Sequence, residues 1–420
     1  MVTSFRVFAP ALLLFAHTLL ADDWTMFHGA DGENRSSDTG LLTTWAEGGP
    51  KLLWTAKDIG KGVSGYSSVT IQKDRLFTTG SRDGRSIVYC FDLNGNEIWK
   101  YDNGPVWTKS YPGTRSTPTI DGEFVYDFSS TGQLVCLTVE KGEKVWTRNM
   151  LVDFEGEQIV WALSESIRID GDRLYCAPGG KKGSFVALDK RTGEIIWTTP
   201  SLGEKTSYAS PIIVEQDDLR MIITTYAKGL LVINAANGDL LTTFRHEQKF
   251  DINCARPIYR DGYIFLVNTV SQGGAGAVML KLSIAPGKTE EKVLLEEVWR
   301  NKNFDNLQDG VMFVDGFLYG TSFGYKDGTF MCVDWKTGET KYENKSVGKG
   351  SLTWAEGLLY FYSESGDMLL MRPNPEKYDV ISRFTIPEGG EGPTWAHPVV
   401  CGKRLYLRHG TFLYCYDIAR

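Results

Sequence analysis

Ala187-Leu188-Asp189-Lys190-Arg191-Thr192-Gly193-Glu194-Ile195-Ile196-Trp197 is the stretch that decides the fold. An apolar run ends at Asp189, a polar turn follows with Gly193 where a positive φ is wanted, and a second apolar run ends in a large aromatic. That is the pattern of a β-hairpin. The same pattern recurs along the chain. Phe91-Asp92-Leu93-Asn94-Gly95-Asn96-Glu97-Ile98-Trp99 is one copy, Lys141-Gly142-Glu143-Lys144-Val145-Trp146 a second, and Val333-Asp334-Trp335-Lys336-Thr337-Gly338 through Tyr342 a third. A degenerate copy surrounds Asn237-Gly238-Asp239.

Working outward, the closing aromatics are Trp54, Trp99, Trp146, Trp197, Phe244, Trp299, Tyr342 and Phe384, about 47 residues apart on average. Four short strands with their turns need about that length. Each unit also opens alike. The openers are Ser67-Ser68-Val69, Ser116-Thr117-Pro118, Ser164-Glu165-Ser166, Ser210-Pro211-Ile212, Arg256-Pro257-Ile258, Asp309-Gly310-Val311, Ser351-Leu352-Thr353 and His397-Pro398-Val399. Eight openers and eight closers predict an all-β chain folded as an eight-bladed β-propeller, because stacked blades cover each other's faces and ring closure removes free edges. The last unit ends near Tyr416-Asp417-Ile418 one strand short, and Lys51-Leu52-Leu53-Trp54-Thr55 is a spare fourth strand. N- and C-terminal strands are therefore expected to close one blade. Residues 51–420 make the propeller, and residues 22–50 form an extension outside the ring or capping one end.

Residues 1–21 read as a signal peptide: Arg6 precedes the uncharged apolar run Val7–Leu20, and Ala21 suits cleavage, although Leu19 stands where a small residue is usual. The run is short for a membrane span. An uncleaved anchor stays open as the alternative. The expected location is periplasmic or extracellular, with no transmembrane segment after signal removal.

The formal net charge is −7 over 420 residues, with no basic stripe. That argues against nucleic acid as a partner, since phosphate neutralisation needs clustered Lys and Arg. Seven cysteines include no CxxC and no adjacent pair, and Cys90, Cys136, Cys332 and Cys415 fall at matching points of the repeat, as small buried hydrophobes would. The histidines have no paired ligand spacing for zinc. Asp31-Gly32-Glu33-Asn34 reads as a solvated turn rather than a calcium loop.

The turn Asp189 to Trp197 resembles the tryptophan-docking motif of the pyrroloquinoline-quinone-like (PQQ-like) propeller family, and Trp24-Thr25-Met26-Phe27-His28-Gly29 is similar to the opening of exported members. The resemblance implies one of two kinds of activity. One branch comprises quinoprotein alcohol dehydrogenases, which hold PQQ and Ca²⁺ at the channel mouth. The other contains non-catalytic scaffolds, including the propeller lipoprotein of the outer-membrane β-barrel assembly machinery. The chain lacks the adjacent Cys pair and the CxxCH of the first branch, and the lipidation Cys of the second.

In a propeller, the segments before the openers surround one mouth of the channel. Arg115, Trp161, Glu165, Tyr208, Asn253, Arg256, Gln308, Asp309, Trp395 and His397 are the mouth candidates. By resemblance to the dehydrogenases, Glu165 and Asn253 would ligate Ca²⁺ and Asp309 would act as general base. Arg115 or Arg256 would pair cofactor carboxylates, and Trp161 or Trp395 would stack on the quinone. The expectation favoured is a non-catalytic, monomeric binding or scaffold module without a cofactor. Its partner is a protein segment or envelope component at a channel mouth or blade edge. The PQQ- and Ca²⁺-dependent dehydrogenase is the alternative.

Overall fold

The computed structural model describes residues 23–60, 65–285, 292–324, 328–345 and 347–420. The expected signal peptide lies outside the described residues. The chain forms eight small antiparallel sheets arranged as an eight-bladed propeller. The only helices among the described residues are the short turns Met150–Asp153 and Val270–Gln272. None is long and apolar enough to cross a membrane.

Each blade begins with a short inner strand at the channel: Thr70–Gln72, Thr119–Asp121, Arg168–Asp170, Ile212–Gln216, Ile258–Arg260, Met312–Val314, Gly350–Ala355 and Val399–Cys401. Every one follows or contains a predicted opener. Every predicted closing aromatic lies on an outermost strand, from Trp99 in Glu97–Pro105 to Phe384 in Val380–Thr385.

The middle strands read as continuous apolar runs because both of their faces are buried. Alternation sends successive side chains to opposite neighbours. In Phe185–Asp189 of blade three, Val186 and Leu188 join a cluster shared with blade two, while Phe185 and Ala187 join one shared with blade four. Eight such apolar clusters are found, one at each interface between neighbouring blades. Burial at about 25 cal/mol per Å² of apolar surface makes these interfaces the main cohesive term.

The hairpin turn explains the Asp and the Gly of the repeat. Asp189 Oδ1 accepts from the backbone N–H groups of Arg191 at 2.8 Å and Thr192 at 2.9 Å. Gly193 has φ +73°, and a Cβ there would also lie 2.8 Å from the Trp146 ring of the preceding blade. Trp146 Nε1 donates to the Lys190 carbonyl of the same turn at 2.9 Å. Trp54 on Leu93, Trp99 on Val139 and Trp299 on Trp335 repeat the bond. Cys90, Cys136, Cys332 and Cys415 sit directly across from Trp99, Trp146, Tyr342 and Trp54, fully buried where a small residue leaves room for the ring. All seven cysteines are free thiols.

Ring closure occurs as expected. Lys51–Ala56 runs antiparallel to Phe412–Asp417 and completes blade eight, with Thr55 opposite Tyr414. The segment ahead of it is built into the propeller. Trp24 exchanges two 2.8 Å backbone bonds with Ile71 of blade one, and the Thr25 carbonyl accepts from Ile120 of blade two at 2.7 Å. Arg35–Ser36 adds a parallel fifth strand to blade seven beside Trp354–Ala355. Residues 24–36 thus cross the end of the channel where the inner strands finish, called the base below. The Asp31–Asn34 stretch, expected as a solvated turn, belongs to this cap: Asn34 is buried, and the Gly32 carbonyl accepts from Arg256.

Candidate functional site

The opposite end, the upper mouth, is organised by a belt of hydrogen bonds between openers. The backbone N–H of His397 donates to Ser68 Oγ of blade one at 2.8 Å. Ser68 N–H then donates to Thr117 Oγ1 at 3.0 Å, Thr117 N–H to Ser166 Oγ at 2.9 Å, and Ser166 N–H to Ser210 Oγ at 3.0 Å. In blade six the acceptor is a carboxylate: Arg256 N–H donates to Asp309 Oδ1 at 2.9 Å. Buried N–H groups require such partners, which is why the repeat carries Ser or Thr at this position.

Above the belt lies a cavity of about 320 Å³. Aromatic rings form most of its wall: Phe27, Tyr66, Tyr111, Trp161, Tyr208, Phe323 and Trp395. Trp395 packs between Tyr66 and Tyr111, with centroids at 4.9 and 4.8 Å, and its Nε1 donates to Glu364 at 2.6 Å. Arg115 contributes a guanidinium over the Tyr66 ring, donating to the carbonyls of Gly113 and Tyr111, and burial lowers its pKa to about 10.

Asp309 and His397 also line the cavity, and His28 of the cap lies behind Asp309 and Phe27. His397 Nε2 lies 2.9 Å from the Gln308 carbonyl, which assigns it as donor there, and its Nδ1 faces the Asn34 amide at 3.3 Å. Burial lowers its pKa to about 4. His28 stacks on Phe27 and is 3.5 Å from Asp309 Oδ2. Its ring nitrogens have no hydrogen-bond partner, and burial, then Arg256, hold its pKa far below the ordinary value. Asp309 occupies a left-handed conformation, φ +56°, and desolvation raises its carboxyl to about 7 against the pull of Arg256.

Of the ten mouth candidates, Arg115, Trp161, Tyr208, Gln308, Asp309, Trp395 and His397 line this cavity. Glu165, Asn253 and Arg256 do not. Glu165 lies between two cavity-lining residues, Ser164 and Ser166, and Asn253 between Ile252 and Cys254. Extended chain alternates, so the middle residue of each trio turns into the core. Asn253 spends its amide N–H groups on the carbonyls of Tyr226 and Ala227 at 2.9 and 3.3 Å, and its Oδ1 accepts from Asn268 at 3.3 Å. Glu165 accepts from Ala177 N–H at 3.0 Å, its other oxygen has no partner, and burial raises its pKa to about 8.

Arg256 faces a second cavity, about 260 Å³, at the base of the channel. Arg35, Arg168, Arg256 and Arg260 line it with Asp31, Glu33 and Glu215. Glu33 holds both Arg260 and Arg35. The plug of Phe27 and His28 stands between the two cavities.

The calcium ligands expected at Glu165 and Asn253 therefore do not meet Asp309 on one cavity, and among the described residues no three His, Cys, Asp or Glu side chains converge on a metal position. A hard cation needs several oxygens at one point. The residues present do not fit a calcium-held quinone.

Sequence reasoning missed Phe27, Tyr66, Tyr111 and Phe323 on the cavity wall. Tyr66 carries a usable signal, since it stands immediately before its opener as Arg115 does. The others lie on loops without periodicity.

Eight blades closed by aromatics, five of them tryptophan, define a PQQ-like β-propeller. The family model described as outer membrane protein assembly factor BamB matches residues 84–344, and the chain belongs to that family. Among solved structures, BamB from Moraxella catarrhalis is similar at 14% identity, over 87% of this chain and 97% of that one, with a TM-score of 0.57. Quinohemoprotein alcohol dehydrogenase from Comamonas testosteroni is similar at 11% identity, over 94% and 80%, with a TM-score of 0.61. The computationally designed Ika8 protein is similar at 11% identity, over 88% and 100%, with a TM-score of 0.57. No curated protein matches. An assembly factor, a dehydrogenase and a designed protein share the architecture, so it carries no single activity.

Proposed function

We propose that the chain is a non-catalytic binding module of the periplasmic or extracellular space, and that its upper mouth receives a segment of another envelope or secreted protein. The observation that carries this reading is the aromatic cavity. Rings contributed by several blades surround a space large enough for one or two side chains, and preformed concave apolar sites of this kind suit ligand capture. Arg115, Trp161, Trp395 and Asp309 are its contact residues. Membership of the BamB family supports a scaffold role. The turned-away Glu165 and Asn253 weigh against the dehydrogenase.

The test has two arms. A photo-crosslinking amino acid at exposed Tyr111 of the full chain, in cells, is expected to yield a discrete protein adduct that Trp395→Ala suppresses. Adducts unaffected by Trp395→Ala would refute the mouth as the site. Titration with PQQ and Ca²⁺ is expected to leave quinone absorbance unchanged. Alcohol-dependent dye reduction in that mixture would replace the binding reading with the dehydrogenase one.

A further inference from the structure

Asp309 is over-equipped for its place in the belt. Blades one to four close the same hydrogen bond with a neutral hydroxyl, from Ser68, Thr117, Ser166 and Ser210. A serine at 309 would serve Arg256 N–H equally well. The carboxylate adds a second oxygen and a charge, and the buried Arg256 offsets the cost of that charge only in part, since desolvation still raises the carboxyl to about 7. The side chain retains 13% exposure and lines the cavity, where it is the only acidic residue among the described lining residues. Around it stand ring faces, whose quadrupoles favour cations. Arg115 belongs to blade two, across the ring from blade six, and its guanidinium is spent on carbonyls and on the Tyr66 face.

We infer that the upper mouth selects a basic group, an ammonium or guanidinium on an apolar stem such as a lysine or arginine side chain of the bound segment, and that Asp309 is the residue that recognises it. This rests on the upper mouth being the binding site. The apolar stem lies along the rings of Trp395, Tyr66 and Tyr111, and the cationic head pairs with Asp309. His28, on the cap, is held neutral and offers no competing charge.

Three small probes of one shape test the inference: benzylamine, benzyl alcohol and benzoate, each titrated calorimetrically into the full chain. At pH 8 benzylamine is expected to bind about tenfold more tightly than benzyl alcohol, with benzoate weakest. Asp309→Ser, which restores the hydroxyl of the other blades, and Asp309→Asn, which keeps the shape, should each close the gap between amine and alcohol. In the unmodified chain the gap should widen from pH 6 to pH 8 as Asp309 ionises. The groups facing it are His28 and His397, both neutral there, the charged Arg256, and the Cys254 thiol, which burial pushes up. Equal binding of amine and alcohol, or a gap that survives both substitutions, would overturn the inference and leave the mouth as an apolar site. Failure of all three probes to bind would overturn the mouth itself, and this inference with it.

Discussion

The two ends of the central channel are lined by opposite chemistries. The upper mouth has aromatic rings and a single acid among its described lining residues, whereas the base gathers four arginines and three carboxylates, of which Glu33 pairs with Arg35 and Arg260, beneath the chain's own residues 24–36. The base draws its partners from the chain itself: Glu33 bridges Arg260 and Arg35, and carbonyls of the cap accept from Arg168 and Arg256, although the Nε of each of these two has no partner. The mouth sets its rings and its acid on a cavity, and Arg256 offsets that acid only in part, since its carboxyl stays raised to about 7. A surface that completes its own charges is structural; one that leaves a charge facing a cavity is arranged for something else.

The largest expected effect lies at the base. Arg256→Met removes a buried guanidinium that binds the Gly32 carbonyl and balances Asp309. It should lower unfolding free energy in urea by about 3–5 kcal/mol at pH 8, and by less at pH 5, where Asp309 is protonated and has no charge for Arg256 to balance. A loss under 1 kcal/mol would show that the base is not a self-satisfied network.

At the mouth the effect is smaller, of opposite sign and pH-dependent. The folded-state pKa of Asp309 is raised from 3.8 to about 7, so folding takes up a proton there. The resulting cost is absent below about pH 4, grows as pH rises to 7, and is complete above it. Asp309→Asn should therefore be near neutral at pH 4 and stabilising by about 2–3 kcal/mol at pH 8, measured by urea unfolding across that range. A pH-independent difference, or a loss of stability at pH 8, would break the contrast with Arg256.

Smallest is Arg35→Ala, which removes a partly exposed pair with Glu33 and should cost about 0–1 kcal/mol, fading in high salt. A larger loss would mean that the arginine set at the base acts as one unit.

The ring was legible in the sequence because it is periodic. Openers, turns and closing aromatics recur, and the spare strand at Lys51 named its own partner near Tyr414. The channel contents were legible only in part. Phe27 and His28 lie on a segment that meets successive blades through unlike contacts, a bridge at Trp24, a carbonyl at Gly32 and a short strand at Arg35, and such a path has no period. Glu165 and Asn253 are the right residue types one position out of phase with the cavity, since composition does not report which way an extended residue points. Asp309 looked like a base for chemistry; its likeness to the serines of other blades emerges only from their shared hydrogen bond.

The clasp has a consequence for how the molecule comes into being. Lys51 cannot find its ladder partner until Asp417 has been synthesised, so residues 51–411 must wait, unsealed, for the strand Phe412–Asp417. During that interval the chain is an open arc with bare strands at both ends, the state most prone to sticking to its copies. A stop codon ahead of Phe412 would therefore be expected to yield not a slightly shorter propeller but an insoluble product.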